Sequence, residues 1–127
     1  MNPRQQTVLV VDDDVEFCEL IMAVLGEAGF RVFTALDAAE AFLLLSGERP
    51  DAAVVDTGLP GRSGFRVLQA IKRMAGPDTP VVMTAAYLAE KERAKLKRLG
   101  ANDLLVVPYD VEDLVEAVVR LCPPRTA

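Results

Sequence analysis

Val8-Leu9-Val10-Val11-Asp12-Asp13-Asp14 is an apolar run that ends abruptly in three acids. Ala52-Ala53-Val54-Val55 ends in the same manner, in Asp56-Thr57-Gly58-Leu59-Pro60. Short Val-rich runs bounded by turn signals read as buried strands of a parallel sheet. Such sheets bind their ligands outside the carboxyl ends of the strands, so acids just past two strands can meet at one site. Neighbouring strands lie about 4.8 Å apart, close enough for Asp12, Asp13 and Asp56 to reach a single ion. Like charges ~4 Å apart repel by roughly 4 kcal/mol at an effective dielectric near 20. The cluster therefore needs a counter-cation, a proton or solvent screening. An all-oxygen site with few protein ligands suits Mg²⁺, which keeps several waters and is often completed by a phosphate.

Outward from these two runs the chain alternates strand-like and helix-like segments, five of each. Phe17, Leu20, Ile21, Val24 and Leu25 recur with the period of an amphipathic helix that stops at Gly29, where a left-handed residue is wanted. Arg31–Ala35 reads as a more exposed second strand. Asp37 caps a helix with Glu40 three residues on, and Ala38, Ala41, Phe42 and Leu45 form its inner face before Gly47. After Asp56, a loop with Pro60 and Gly64 enters a helix carrying Phe65, Leu68, Ile71 and Met74, closed by Gly76-Pro77. Val81–Ala85 is a fourth strand. A Lys- and Arg-rich helix is predicted over about Leu88–Leu99, and a fifth strand over Leu104–Val107. Asp110 then caps a helix with a stripe of Val111, Leu114, Val115, Val118, Val119 and Cys122. This alternation implies right-handed crossovers and an α/β sheet covered on both faces. Residues 1–122 read as one domain and 123–127 as a tail or the start of a linker.

At 127 residues, 51% hydrophobic and 26% charged, the composition is that of one globular domain. No apolar stretch is long enough to span a bilayer, and the polar opening carries no export signal. A net charge of −5 argues against direct nucleic-acid binding. The absence of histidine removes Ser–His catalysis and histidine metal sites together. Cys18 and Cys122 fall on apolar helix faces and read as buried free thiols in a reducing cytoplasm.

The segments VLVVDDD, DTGLPGRSG, PVVMTAAY and GANDLLVVPYD together resemble the receiver domain of two-component response regulators, over essentially the whole chain. The resemblance implies a flavodoxin-like, doubly wound five-stranded parallel sheet of order 2-1-3-4-5 with five helices. It implies a phosphoryl group passed from a sensor histidine kinase, or a phosphotransfer protein, to Asp56. It also implies Mg²⁺ held by Asp12, Asp13, Asp56 and the backbone carbonyl of Gly58, and a cis Val107–Pro108 bond. The partner on the output side would be a downstream protein or a fused output domain, with a homodimer a further possibility. The chain would act in the cytoplasm as a phosphoprotein rather than an enzyme, without contacting membrane or nucleic acid.

Three positions depart from the family pattern. Ala85 stands where the family has a Thr or Ser, Val107 where it has a lysine, and Leu104 where it has a mobile aromatic. Thr84 lies one residue early, so strand alternation turns it to the opposite face from Ala85. Arg62 is the nearest cation in sequence that could stand in for the lysine. Tyr87 reads as a surface aromatic, and Lys91, Arg93, Lys95, Lys97 and Arg98 as a solvated helix face. Two readings follow: a phosphorylated receiver with an impaired switch, or a degenerate receiver that binds a protein independently of phosphorylation. Asp56-Thr57-Gly58 also matches the Asp-Thr-Gly of retroviral-type aspartic proteases, an all-β class that the helical stripes contradict.

Overall fold

The runs Val8–Val11, Ala52–Val55 and Val81–Ala85 bury both of their faces, which in a parallel sheet requires helices on either side. The computed structural model, which describes residues 5–124, has this arrangement. Its strands are β1 (Thr7–Val11), β2 (Arg31–Ala35), β3 (Ala52–Asp56), β4 (Val81–Ala85) and β5 (Asp103–Val106). Its helices are α1 (Val15–Glu27), α2 (Ala38–Gly47), α3 (Ser63–Met74), α4 (Glu90–Arg98) and α5 (Val111–Leu121), with a 3-10 turn at Pro60–Arg62 before α3. All strand pairs are parallel, in the order β2-β1-β3-β4-β5. The chain order reverses at β1, so the switch point lies between β1 and β3. This is the flavodoxin-like topology, and it rules out the all-β protease reading.

Side-chain alternation splits the interior in two. Leu9, Val11, Ala53, Val55, Val81 and Met83 pack with Ala41 and Leu45 of α2, Leu68 and Ile71 of α3, and Leu96 of α4. Val8, Val10, Ala52, Val54 and Val82 pack on the other face with Ile21 and Leu25 of α1 and Leu114 and Val118 of α5. Cys18 and Cys122 are buried in this second layer and are not joined in a disulfide. Burial pushes the Cys18 thiol up to about 11, so it carries little thiolate at neutral pH.

The helix faces are narrower than the apolar stripes suggest. Leu20, Phe42 and Met74 were expected to face inward, but are 48%, 37% and 38% exposed. A helix lying on a sheet buries only its innermost strip, and rim positions stay wet. The ends of two elements also shift. β5 begins at Asp103 and stops at Val106, and α4 begins at Glu90, because the Ala89 amide is taken by Glu92 at 3.4 Å. The Val107–Pro108 peptide is cis, as the resemblance implied. Gly29 takes φ +106, and Phe30 N donates back to Leu25 O at 3.1 Å, which ends α1 as expected. No helix among the described residues is long and apolar enough to cross a membrane. The proposed tail at 123–127 lies mostly outside the described residues, which end at 124.

Candidate functional site: an acid cleft at the carboxyl edge

Register builds the site. Val11 stands beside Val55, so one residue on Asp12 stands beside Asp56, and Asp56 pairs in turn with Thr84. Val10, Val54 and Val82, two residues earlier in their strands, all belong to the layer under α1 and α5. With a side-chain period of two, Asp12, Asp56 and Thr84 form one row on that same face. Carboxylate oxygens of Asp12, Asp13 and Asp56 lie within 4.8 Å of one another. The three sequence-derived acids are brought together.

Asp12, Asp14 and Asp56 are held by local backbone. Asp14, the remaining acid of the run, caps α1 by accepting from Phe17 N at 3.2 Å. Asp12 Oδ1 accepts from Asp14 N at 2.9 Å, and Asp56 Oδ1 accepts from Gly58 N at 2.9 Å, folding Gly58 over the acceptor. One acid is thus spent on helix capping, and two remain for the cleft. Gly64 makes the close approach of α3 possible, since a Cβ there would sit 2.5 Å from the Asp56 carbonyl oxygen.

The electrostatics are those of uncompensated carboxylates. Burial, opposed by the Asp14 amide and reinforced by Asp56 and Asp13, pushes Asp12 up to about 6. Burial also raises Asp56, against the Gly58 amide and with help from Asp13. No lysine or arginine lines the cleft. Arg62, considered as a substitute cation, is instead paired with Glu92 at 3.0 Å and is exposed. Its guanidinium also lies over the Phe65 ring, 5.6 Å from the centroid.

The open cleft of about 220 Å³ beside the acids is lined by Asp12, Asp56, Thr84, Ala85, Val107 and Tyr109, with Asp14, Phe17 and Ala86 at its rim. Ala85 is buried and Val107 is 56% exposed, so neither offers a polar atom from its side chain. Leu104 is half-buried and packs with the layer under α3 and α4. Tyr87 is 76% exposed, a surface aromatic as expected.

Two residues were misjudged or missed from sequence. Thr84 does face away from Ala85, as alternation required, but the face it occupies is the one that carries Asp12 and Asp56. Tyr109 packs against the layer under α5 and turns its phenol toward the cleft. It lines the same cleft as Thr84. Burial first, then Asp12 and Asp56, raise its pKa, while Thr84 opposes them. The signal available in the sequence was Tyr109 itself, directly after the Val107–Pro108 step and beyond the three positions compared.

The sequence model of the response regulator receiver domain matches residues 8–119. The chain is 38% identical over 126 residues to the transcriptional regulatory protein PrrA of Mycobacterium leprae, covering 99% of this chain and 52% of PrrA. It is 34% identical over 119 residues to an uncharacterized 14.6 kDa protein of Leptolyngbya boryana, covering 93% of this chain and 91% of that one. The chain thus spans about half the length of PrrA. Among solved structures it is similar to the chemotaxis protein CheY4 of Vibrio cholerae, with TM-score 0.83 and 28% identity over 92% of this chain and 98% of that one. It is also similar to a Burkholderia pseudomallei response regulator crystallised with a phosphorylated aspartic acid, calcium ion and citrate. There the TM-score is 0.80 and the identity 25%, covering 89% of this chain and 66% of that one. Topology, acid cleft and sequence kinship converge: the chain belongs to the response regulator receiver domains of two-component systems.

Proposed function

We propose that the chain accepts a phosphoryl group on Asp56 from a sensor histidine kinase or phosphotransfer protein, with Mg²⁺, and that its output switch is impaired. The observation that carries this reading is the convergence of three carboxylates within 4.8 Å at the carboxyl edge of β1 and β3. This donor set fits Mg²⁺: all oxygen, few protein ligands and strong mutual repulsion to relieve. Asp12, Asp13, Asp56 and the Gly58 carbonyl would hold it. The ion supplies charge neutralisation for the transferring phosphoryl oxygens.

In the transfer, a carboxylate oxygen of Asp56 forms a bond to phosphorus as the P–N bond to the kinase imidazole breaks. The bonding pair returns to the imidazole nitrogen, and an acyl phosphate remains on Asp56. The Gly58 amide at 2.9 Å orients the acceptor carboxylate, and Gly64 lets α3 close over its backbone. The chain acts as a signalling domain rather than an enzyme. A downstream protein, a fused output domain or a second copy would read its state, and nucleic acid and membrane are not direct partners. Two buried cysteines not joined in a disulfide suit a reducing compartment, in keeping with a cytoplasmic location.

Impairment rests on Ala85, Val107 and Leu104, which provide no hydroxyl, no ammonium and no mobile ring. The same absence of a cation along the cleft favours a second reading, a binding module that works without phosphorylation. A phosphoryl group adds about −1.5 to −2 charges to a site that already repels itself. Mass spectrometry after acetyl phosphate or kinase treatment with Mg²⁺ separates the two. A phospho-adduct present in the parent protein and absent in Asp56→Asn supports acceptance. No adduct under any donor leaves the binding module.

A further inference from the structure

Asp12, Asp56 and Thr84 occupy one cross-strand row, and Tyr109 lines the cleft beside that row together with Thr84. A threonine and a tyrosine carry one hydroxyl hydrogen each. A bond between the two would use one hydrogen only, which leaves at least one for an acceptor elsewhere. The acceptors facing it along the cleft are the carboxylates of Asp12 and Asp56. The ring of Tyr109 is held by apolar packing against the α1/α5 layer, which leaves the hydroxyl as the end that meets the cleft. Such a held, neutral O–H donor is suited to an anion, because it needs little reorganisation when negative charge arrives.

We propose that the hydroxyls of Thr84 and Tyr109 form a donor pair that binds the phosphoryl oxygens at Asp56, with Tyr109 reaching into the cleft and Thr84 bracing it. The pair takes over part of the work left undone by Ala85 and Val107. It rests on Asp56 being the phosphoacceptor. It also explains why two hydroxyls stand at the edge of a layer built mainly from apolar side chains. In a purely structural role, the two hydroxyls would bond only to protein acceptors, and an anion at Asp56 would not sense them.

The test uses beryllofluoride, an aspartyl-phosphate mimic, with Mg²⁺. The chain has two tyrosines and no tryptophan, so exposed Tyr87→Phe leaves Tyr109 as the only tyrosine reporter. In that background, beryllofluoride is expected to shift the near-ultraviolet band of Tyr109, as a phenol donating to a new anion should. By calorimetry, adding Tyr109→Phe should weaken beryllofluoride binding about tenfold, the size of one hydrogen bond to a charged group. Thr84→Val, which keeps the shape and removes the brace, should weaken it by a smaller factor in the same direction. Binding of Mg²⁺ alone should stay within about twofold, because removing a packing group would alter both ligands together.

Unchanged beryllofluoride affinity in either variant overturns the pair, as does a parallel loss of Mg²⁺ and beryllofluoride binding. No binding of beryllofluoride by the parent protein overturns the phosphoacceptor reading itself, and the pair with it. The two failures are therefore distinguishable.

Discussion

Asp12 holds the cleft's charge at a free-energy cost, since it is half-buried beside two other acids and no lysine or arginine among the described residues lines the cleft. Its carboxyl titrates near 6 in the folded protein against 3.8 when unperturbed. Between these values the folded state binds more protons than the unfolded chain, so stability must fall as pH rises through the window. Without metal, the melting temperature is expected to decline from about pH 4 to pH 6 and then level. Mg²⁺ should raise it most above pH 6, where Asp12 is ionised, and Asp12→Asn should flatten the metal-free slope. Thermal melts across pH, with Mg²⁺ and with chelator, check this, and a metal-free stability that climbs through the window would contradict it. Asp13, exposed on the same turn, would contribute a ligand oxygen to the proposed Mg²⁺. Asp13→Ala should remove most of the Mg²⁺-dependent rise, while relief of its repulsion with Asp12 and Asp56 should raise the metal-free melting temperature slightly.

β4 and β5 present the cleft with two short apolar ends. Ala85 and Val107 are joined by the backbone hydrogen bond from Val107 N to Ala85 O at 2.9 Å, so their side chains border the same opening. Thr at 85 and Lys at 107 would restore a hydroxyl and an ammonium to a space of about 220 Å³. The double variant Ala85→Thr/Val107→Lys should give more phospho-adduct than the parent under matched acetyl phosphate and Mg²⁺, by about tenfold for a charge-assisted contact to the phosphoryl oxygens. Mass spectrometry over a time course reads this directly. Equal adduct, with the circular dichroism of a folded domain, would mean that the Thr84–Tyr109 side of the cleft already supplies what the transfer needs.

Across the whole domain, a switch requires an element with two accessible states that the phosphoryl group can bias. Ala85 has no hydroxyl to draw inward. Leu104, packed against the layer under α3 and α4, has neither ring nor polar tip to divide between buried and exposed positions. Beryllofluoride with Mg²⁺ should therefore shift amide resonances around Asp12, Asp56, Thr84 and Tyr109 and leave α4 and Leu104 nearly unmoved. A partner bound on the face formed by α4, β5 and α5 should keep its affinity in Asp56→Asn within about tenfold, ~1.4 kcal/mol. Nuclear magnetic resonance titration checks the first expectation, and shifts running through Glu90–Arg98 would place a working switch in some other side chain.

Much of this was readable along the chain, because the strands are short, apolar on both faces and closed by acids or turn residues. Period alone established the α/β class and put Asp12, Asp13 and Asp56 at strand ends, and the glycine after α1 marked a true helix stop. Strand order came from resemblance rather than from period, since alternation says nothing about which strand lies beside which. The cleft's far wall was not readable either. Thr84 was correctly turned away from Ala85, yet only the pairing Asp56–Thr84 shows that this face is the acids' own. Tyr109 follows Pro108 in an unpatterned loop, so its place in one cleft with Thr84, 25 residues earlier, depends on how β5 leads into α5. Arg62 failed for the same reason, being close to Asp56 in sequence but drawn to Glu92 in space. Local chemistry and period are properties of neighbours in the chain, whereas the contents of a cleft are set by neighbours across the sheet.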